Sequence, residues 1–179
     1  IIDGLLFNER APFPVTIAFA QPIKEMVAQL LLRWDISASA ITDRVLKETE
    51  IAGIGASPRK LMQTLGTEWG RNLVHGDIWV TLLARRMGVH AGGTPVHDRI
   101  VVTDVRFTNE AAWVHDSGGK LLRLHRGVAP SVRQHDSEAH IDALPADLDL
   151  YNDGPTREGL YGLIDGTMAH WHIGRREEF

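Results

Sequence analysis

The chain has 179 residues, of which 44% are hydrophobic and 23% charged, and its formal net charge is −4. This length predicts one domain over residues 1–179 with a buried core. The absence of cysteine excludes disulfides and thiolate metal sites and is compatible with a cytoplasmic protein. No apolar run approaches the roughly 20 residues that span a bilayer, so no membrane partner is expected. The acidic balance argues against a polymeric nucleic-acid partner, whereas a small anionic ligand needs only a few arginines.

Strands and helices alternate along the first half of the chain. Residues 15–20 are apolar and predict a short buried strand, and residues 22–34 carry apolar side chains at helical spacing. The polar segment 36–57 predicts a short helix followed by a loop. Two further helices are expected over 58–75 and 77–88.

The helix over 58–75 is the most informative segment. Ser57 is a favourable N-cap, and Pro58 takes the first helical position, where a missing N–H costs nothing. One stripe of every fourth residue is apolar and is expected to face the core: Leu61, Leu65, Trp69 and Leu73. A second stripe holds Arg59, Gln63, Gly66 and Gly70. A helical glycine costs roughly 1 kcal/mol relative to alanine, so this second face either approaches a polar ligand or packs tightly on a neighbour.

The later part of the chain follows the same alternation. Strands are expected over 99–104, 120–125 and 147–151, and helices over 108–117 and 155–171. Residues 126–146 are polar, contain two prolines and predict a mobile, lid-like excursion. The alternation predicts an α/β fold with a mainly parallel sheet flanked by helices. In such sheets, ligands bind beyond the carboxyl ends of the strands.

Charged side chains follow two of the predicted strands. Asp104 and Arg106 come at the end of an apolar run, where a carboxylate can orient a metal-bound water or a sugar hydroxyl. A guanidinium there can bind phosphate oxygens through two parallel hydrogen bonds. The alternative is an internal Asp–Arg pair that fixes the loop. Arg126 and Arg133 lie in the polar excursion, where arginines either close over phosphates or are simply solvated.

Several motifs that would identify other classes of protein are absent. The sequence has no GxGxxG after a strand, which disfavours a dehydrogenase-like domain, and no GxSxG nucleophile motif. It also lacks a phosphate-binding GxxxxGK[ST] loop. The nine histidines show no spacing typical of a zinc site, so no metal ligand is assigned.

In combination and in this order, the remaining motifs resemble those of the phage-type deoxynucleoside monophosphate kinases. The matching pieces are residues 19–24, 57–67, 77–79, 103–110, 118–119, 135–138 and 152–154. They run through nearly the whole chain. The resemblance implies a P-loop kinase fold and transfer of the γ-phosphoryl group of ATP to a deoxynucleoside 5′-monophosphate, with Mg²⁺. It also implies a phage or prophage source and is compatible with a homodimer.

The resemblance also implies roles for individual residues. The acceptor monophosphate would be lined by Arg59, Gln63, Gly66, Thr67 and Trp79. Within that set, the arginine would bind the phosphate, and the glutamine and tryptophan would contact the base. The acceptor's sugar and phosphate would be held from the other side by Asp104, Arg106 and Glu110. Two catalytic arginines of a lid over the ATP phosphates would be Arg126 and Arg133.

One departure from the family pattern concerns the P-loop. The family opens with a strand and a phosphate-binding loop, whose place here is taken by the short stretch that begins at Ile1. We expect this loop to lie upstream of that residue. The alternative is a catalytically inactive nucleotide-binding or interaction protein that has kept the kinase fold, because transfer depends on positioning and charge neutralisation of the phosphates.

Overall fold

A computed structural model describes residues 15–88, 100–126, 143–152 and 156–171. The strands are β1 (Val15–Ile17), β2 (Ile100–Val102), β3 (Leu122–Arg126) and β4 (Leu148–Asn152). The α-helices are α1 (Gln21–Leu32), α2 (Pro58–Gln63), α3 (Ile78–Arg86), α4 (Thr108–Asp116) and α5 (Arg157–His170). A 3₁₀-helix covers Ala38–Ile41, and a π-helix covers Thr64–Val74. Each predicted strand and helix is thereby confirmed, with ends that differ by a few residues.

The described strands form two parallel pairs. β1 pairs with β2, with Val15 opposite Ile100, and β3 pairs with β4, with Leu122 opposite Leu148. Both pairs join strands that are distant in the sequence, as parallel connections require. The helices and parallel strands confirm the α/β, P-loop kinase-like fold class. No helix of the described segments is long and apolar enough to cross a bilayer.

The chain divides into two compact units, residues 1–105 and residues 106–179. The first contains the β1–β2 pair and the helices from α1 to α3, and the second contains the β3–β4 pair with α4 and α5. Each unit thus carries one parallel strand pair. The expectation of a single domain over the whole chain stays a prediction.

The core of the first unit forms around α1. This helix buries Val27 and Leu31 against Ala40 of the 3₁₀-helix. Leu61 and Leu65 pack on the same cluster from α2 and the π-helix that continues it. The first half of the predicted apolar stripe therefore faces the core, as expected from its spacing.

For the second half of the stripe, the prediction that it faces the core is wrong. Trp69 is 43% exposed and Leu73 is 78% exposed. A strict four-residue spacing rotates by about 40° per step around an α-helix, so the stripe drifts away from the core. Beyond Gln63, moreover, the helix adopts i→i+5 hydrogen bonding. Its buried positions become Gly66 and Gly70.

Both of these glycines approach neighbouring side chains. A Cβ added at Gly66 would lie 2.9 Å from Cδ1 of Ile23, and one added at Gly70 would lie 2.9 Å from Cε2 of Trp79. Trp79 is 1% exposed, and its Nε1 donates a hydrogen bond of 2.8 Å to the Gly66 carbonyl. At these two positions, the structure shows tight packing on a neighbour, the second of the two interpretations left open by the sequence.

We expect Gly70→Ala to lower the free energy of unfolding by about 1–3 kcal/mol, because the new methyl group must displace a buried indole. Gly162→Ala is the matched control, since a Cβ at this helical position in α5 meets no atom within 4 Å. It should gain about 0.5–1 kcal/mol from helix propensity. Urea unfolding followed by circular dichroism measures both. Equal effects of the two substitutions would contradict the packing argument.

In the second unit, Asp147 lies directly before β4, and its side chain contacts the residues directly before β3. Its Oδ2 accepts a hydrogen bond of 2.7 Å from the Leu121 backbone N–H and lies 3.0 Å from Nε2 of His115. Its Oδ1 accepts from Nζ of Lys120 at 3.2 Å. The backbone donor, opposed by burial and helped by the two side chains, lowers the pKa of Asp147 to about 2.

The next residues of this strand pair form a cross-strand group of side chains. Asp149 accepts from Nη1 of Arg123 at 3.1 Å and lies 2.7 Å from Nε2 of His125. The His125 ring stacks on Tyr151, with ring centroids 4.5 Å apart. Arg123 lies opposite Asp149 and His125 lies opposite Tyr151 in the β3–β4 register, and Asp149 contacts His125 diagonally across the two strands. The hydrogen bond to His125 holds the pKa of Asp149 below its usual value.

The lowered pKa of Asp147 predicts an acid-sensitive contribution to stability. A carboxyl group with a depressed pKa in the folded state stabilises the fold above its unfolded pKa of about 4 and loses this effect as the pH falls toward 2. Asp147→Asn should therefore cost about 1 kcal/mol at pH 6, a value kept small by solvent screening. The cost should shrink steadily below pH 4. Urea unfolding of both proteins at several pH values measures it, and a cost independent of pH would contradict the assignment.

Candidate functional site

The Asp104 carboxylate holds the turn between β1 and α1. Its Oδ1 accepts a hydrogen bond of 2.8 Å from the Phe19 N–H, and its Oδ2 accepts one of 2.9 Å from the Ala20 N–H. Phe19 is 2% exposed, so its N–H has little access to water. The α1 helix has no side-chain N-cap of its own. A carboxylate near a helix N-terminus is favoured by the helix dipole, so Asp104 stabilises the start of this helix from the end of the neighbouring strand.

Glu110 holds the loop before α4 in a similar way. It is 2% exposed, and its Oε2 accepts hydrogen bonds from the backbone N–H groups of Arg106 at 2.8 Å and of Phe107 at 3.2 Å. The glutamate stands at the third position of the helix and reaches back to residues ahead of it, as in a capping box. Both carboxylates predicted to hold the acceptor are thus engaged with backbone donors. Their roles in binding the acceptor stay predictions.

Removal of the Asp104 carboxylate should destabilise the first unit. Asp104→Ala leaves two backbone donors without their acceptors, which is expected to cost about 1–3 kcal/mol. The matched control is Asp116→Ala, at an exposed carboxylate that makes no hydrogen bond with another described residue, and it should change stability by less than about 0.5 kcal/mol. Urea unfolding compares them. Equal stability of the two variants would show that the bonds to Phe19 and Ala20 do not support the fold.

Arg59 lies at the exposed start of α2. Its backbone N–H donates to the Lys47 carbonyl at 2.9 Å, and its Nε donates to Oε1 of Glu48. The two side chains are 47% and 51% exposed. The terminal guanidinium nitrogens make no hydrogen bond with a described residue. These two nitrogens, which are the ones suited to two parallel phosphate contacts, are therefore available while Nε is bonded to Glu48.

The other predicted acceptor residues lie along the same helix and beside it. Gln63 and Thr67 are half-buried, and their side chains make no hydrogen bond within the described segments. Gly66 is buried, and its carbonyl accepts from the indole of Trp79. Trp79 is therefore a core residue that fixes α3 against the π-helix. Contact of its ring with a base stays a prediction.

The structure places the remaining predicted residues as follows. Arg106 is exposed, and its backbone N–H is bonded to Glu110. Arg126 is the last residue of β3, but its side chain and the whole of Arg133 lie outside the described residues, as does the lid-like segment over 127–142. Among the described residues, no group of three His, Asp or Glu side chains could hold a metal ion.

Sequence reasoning missed the role of Glu48. The segment 36–57 was expected to be a short helix and a loop, and it contains the 3₁₀-helix Ala38–Ile41 followed by turns. Turns carry no periodic signal, and the Arg59–Glu48 pair joins residues 11 positions apart. A glutamate facing an arginine across a turn-rich segment leaves no trace in a single sequence.

A family model described as deoxynucleotide monophosphate kinase matches residues 34–162. A putative deoxynucleotide monophosphate kinase of Acanthamoeba polyphaga mimivirus is 28% identical over 180 residues, which cover 92% of this chain and 84% of that protein. The deoxynucleoside-5′-monophosphate kinase of Escherichia phage T5 is 43% identical over 77 residues, covering 43% of this chain and 26% of that protein. The deoxynucleotide monophosphate kinase of Escherichia phage RB69 is 34% identical over 112 residues, covering 63% and 45%. No solved structure matches.

The chain belongs to the deoxynucleotide monophosphate kinase family, since the family model covers more than half of its length. The family resemblance seen in the sequence is therefore confirmed, and the chain is a member of a nucleotide kinase family, a class of transferases. It spans less than half the length of the two phage relatives. The helix that begins at Pro58 and the loop before α4 both lie within the matched range.

Proposed function

We propose that the protein transfers the γ-phosphoryl group of ATP to a deoxynucleoside 5′-monophosphate. A phosphate oxygen of the acceptor attacks the γ-phosphorus, and the bond between this phosphorus and the bridging oxygen breaks. The products are ADP and the deoxynucleoside diphosphate. The observation that carries the proposal is the family match over residues 34–162, which contains the exposed Arg59.

Arg59 is the proposed ligand of the acceptor phosphate. Glu48 accepts a hydrogen bond from Nε of Arg59, while the terminal nitrogens make no hydrogen bond with a described residue. A guanidinium held in this way loses less conformational freedom when it binds a planar or tetrahedral oxyanion. Gln63 and Thr67, one and two turns further along, make no side-chain hydrogen bond with the described residues and are proposed to contact the same acceptor.

The remaining predicted residues complete this proposal. Asp104 and Glu110 act by holding the backbone of the strand-end loops, and Arg106 supplies a second guanidinium for the acceptor. The lid arginines Arg126 and Arg133 are proposed to neutralise charge on the transferring phosphoryl group. The co-substrate is Mg·ATP, in which the phosphates hold the cation and the protein needs to add only one or two ligands.

Arg59→Ala in the full-length protein should lower kcat/KM for the acceptor by about 10²–10³-fold, as expected when one partner of a charge-assisted phosphate contact is removed. Lys60→Ala is the matched control, because this neighbour is exposed and, among the described residues, forms an ion pair only with Glu68 at 3.6 Å. It should change kcat/KM by less than about two-fold. A coupled assay of ADP release with the four common deoxynucleoside monophosphates measures both.

Three outcomes of this assay bear on the proposal. Turnover that depends on Arg59 and not on Lys60 supports it. Turnover unaffected by Arg59→Ala would overturn the assignment of the phosphate site while leaving the activity. Binding of a deoxynucleotide without ADP release would overturn the activity in favour of a nucleotide-binding protein that keeps the kinase fold.

A further inference from the structure

Two consecutive residues of the turn segment before α2 contact Arg59. The Arg59 backbone N–H donates a hydrogen bond of 2.9 Å to the Lys47 carbonyl, and its Nε donates to Oε1 of Glu48. An N–H in the first turn of a helix has no partner within that helix, so the Lys47 carbonyl satisfies a donor that α2 leaves unpaired. One segment thus binds both the backbone and the side chain of the same arginine.

The segment that carries Glu48 is held by its own hydrogen bonds. Oδ1 of Asp43 accepts from the Val45 N–H at 2.9 Å, and the Asp43 carbonyl accepts from the Lys47 N–H at 3.1 Å. The Thr49 hydroxyl donates to the Val45 carbonyl at 2.9 Å. The residues on both sides of Glu48 are therefore fixed within the segment, and the carboxylate extends from an ordered turn.

The backbone of Arg59 is fixed as well. Pro58, directly before it, is buried, and the Ser57 side chain accepts a hydrogen bond of 3.2 Å from the Lys60 N–H. Both partners of the contact between Arg59 and Glu48 therefore extend from a held backbone, although the two side chains are half-exposed. Among the described residues, the bond to Glu48 is the only hydrogen bond that restricts the rotation of this guanidinium.

The contact with Glu48 also decides which nitrogens of the guanidinium remain for an anion. An arginine can present two neighbouring N–H groups to an oxyanion in two ways, from Nε with one terminal nitrogen or from the two terminal nitrogens together. The carboxylate takes Nε, so the second combination remains. A phosphate is then expected to approach the end of the side chain and to be bound by both terminal nitrogens.

We propose that Glu48 is a positioning residue for Arg59, whose carboxylate binds Nε and directs the two terminal nitrogens to the phosphate of the acceptor. The inference rests on the proposed function for the identity of the ligand. Glu48 acts through the arginine and does not touch the acceptor. Its contribution is the rotational freedom that Arg59 no longer loses on binding, which corresponds to about three- to ten-fold in affinity. This assigns a role to a residue that no motif indicated.

Steady-state kinetics and calorimetric titration of the full-length protein test the proposal. Glu48→Ala and Glu48→Gln both remove the charge, but only the glutamine keeps an oxygen that accepts from Nε. Glu48→Ala should raise KM and Kd for the acceptor by about three- to ten-fold, whereas Glu48→Gln should stay within about two-fold of the wild-type protein. Neither variant should change the KM for ATP or the kcat at saturating acceptor, because ordering a binding group acts equally on the ground state and the transition state.

Two controls accompany these variants. Glu50→Ala removes an exposed carboxylate of the same segment that makes no hydrogen bond with a described residue, and it should change both constants by less than about two-fold. In Arg59→Ala protein, the additional change Glu48→Ala should alter kcat/KM by less than about two-fold, because a positioning residue has no effect without the group that it positions. An equal loss in both backgrounds would show that Glu48 supports the fold instead, and would overturn the proposal.

The outcomes separate this proposal from the kinase activity. If Arg59→Ala impairs turnover and Glu48→Ala does not, the positioning role is overturned and the kinase proposal stands. If both Glu48 variants bind the acceptor more tightly, the carboxylate acts by repelling the phosphate, and the positioning role is again overturned. If the wild-type protein binds a deoxynucleoside monophosphate without releasing ADP, a higher Kd in Glu48→Ala but not in Glu48→Gln supports the positioning role and contradicts the kinase activity. A wild-type protein that binds no deoxynucleoside monophosphate overturns both.

Discussion

The bridge from Asp104 to the β1–α1 turn is the interaction on which the first unit depends. One carboxylate accepts two backbone hydrogen bonds, from Phe19 and from Ala20, and so joins segments 84 and 85 residues apart. It holds the end of β2 against the start of α1. The helix then presents Ile23 to the π-helix and Val27 to the core. The position of α1 beside the π-helix therefore depends on how this turn is held.

The same chemistry recurs in the second unit. Glu110 binds the backbone ahead of α4, and Asp147 binds the Leu121 N–H ahead of β3. Ionised carboxylates that accept backbone N–H groups make stronger hydrogen bonds than neutral acceptors do. Loops held in this way can carry guanidinium groups such as that of Arg106 without needing a large core.

The arginine and tryptophan side chains of the first unit differ in their exposure. Nε of Arg59 is bonded to Glu48, and its terminal guanidinium nitrogens make no hydrogen bond with a described residue. Trp79 is enclosed and bonded to the Gly66 carbonyl, so it supports the helix that carries the polar residues. Trp34, in contrast, is 40% exposed just beyond the end of α1.

Sequence patterns were sufficient for elements whose signal is local. The apolar run before Asp104, the Ser57-Pro58 start of α2 and the helical spacing of α1 all predict what the structure contains, because propensity and capping act over a few residues. The family resemblance could also be read, since its motifs are contiguous. Which residues after Gln63 are buried could not be predicted from the sequence. The change to i→i+5 hydrogen bonding depends on how Gly66 and Gly70 pack against the side chains of Ile23 and Trp79.

The sequence by itself therefore determined the α/β class, the order of strands and helices, and membership of a nucleotide kinase family. The tertiary structure alone decided that Asp104 binds the backbone of the β1–α1 turn, that Glu48 accepts a hydrogen bond from Arg59, and that Trp79 is buried whereas Trp34 is exposed. The physical reason is that local patterns report a residue's own backbone. A partner many residues away is selected only when folding brings donor and acceptor, or ring and methyl group, within contact distance.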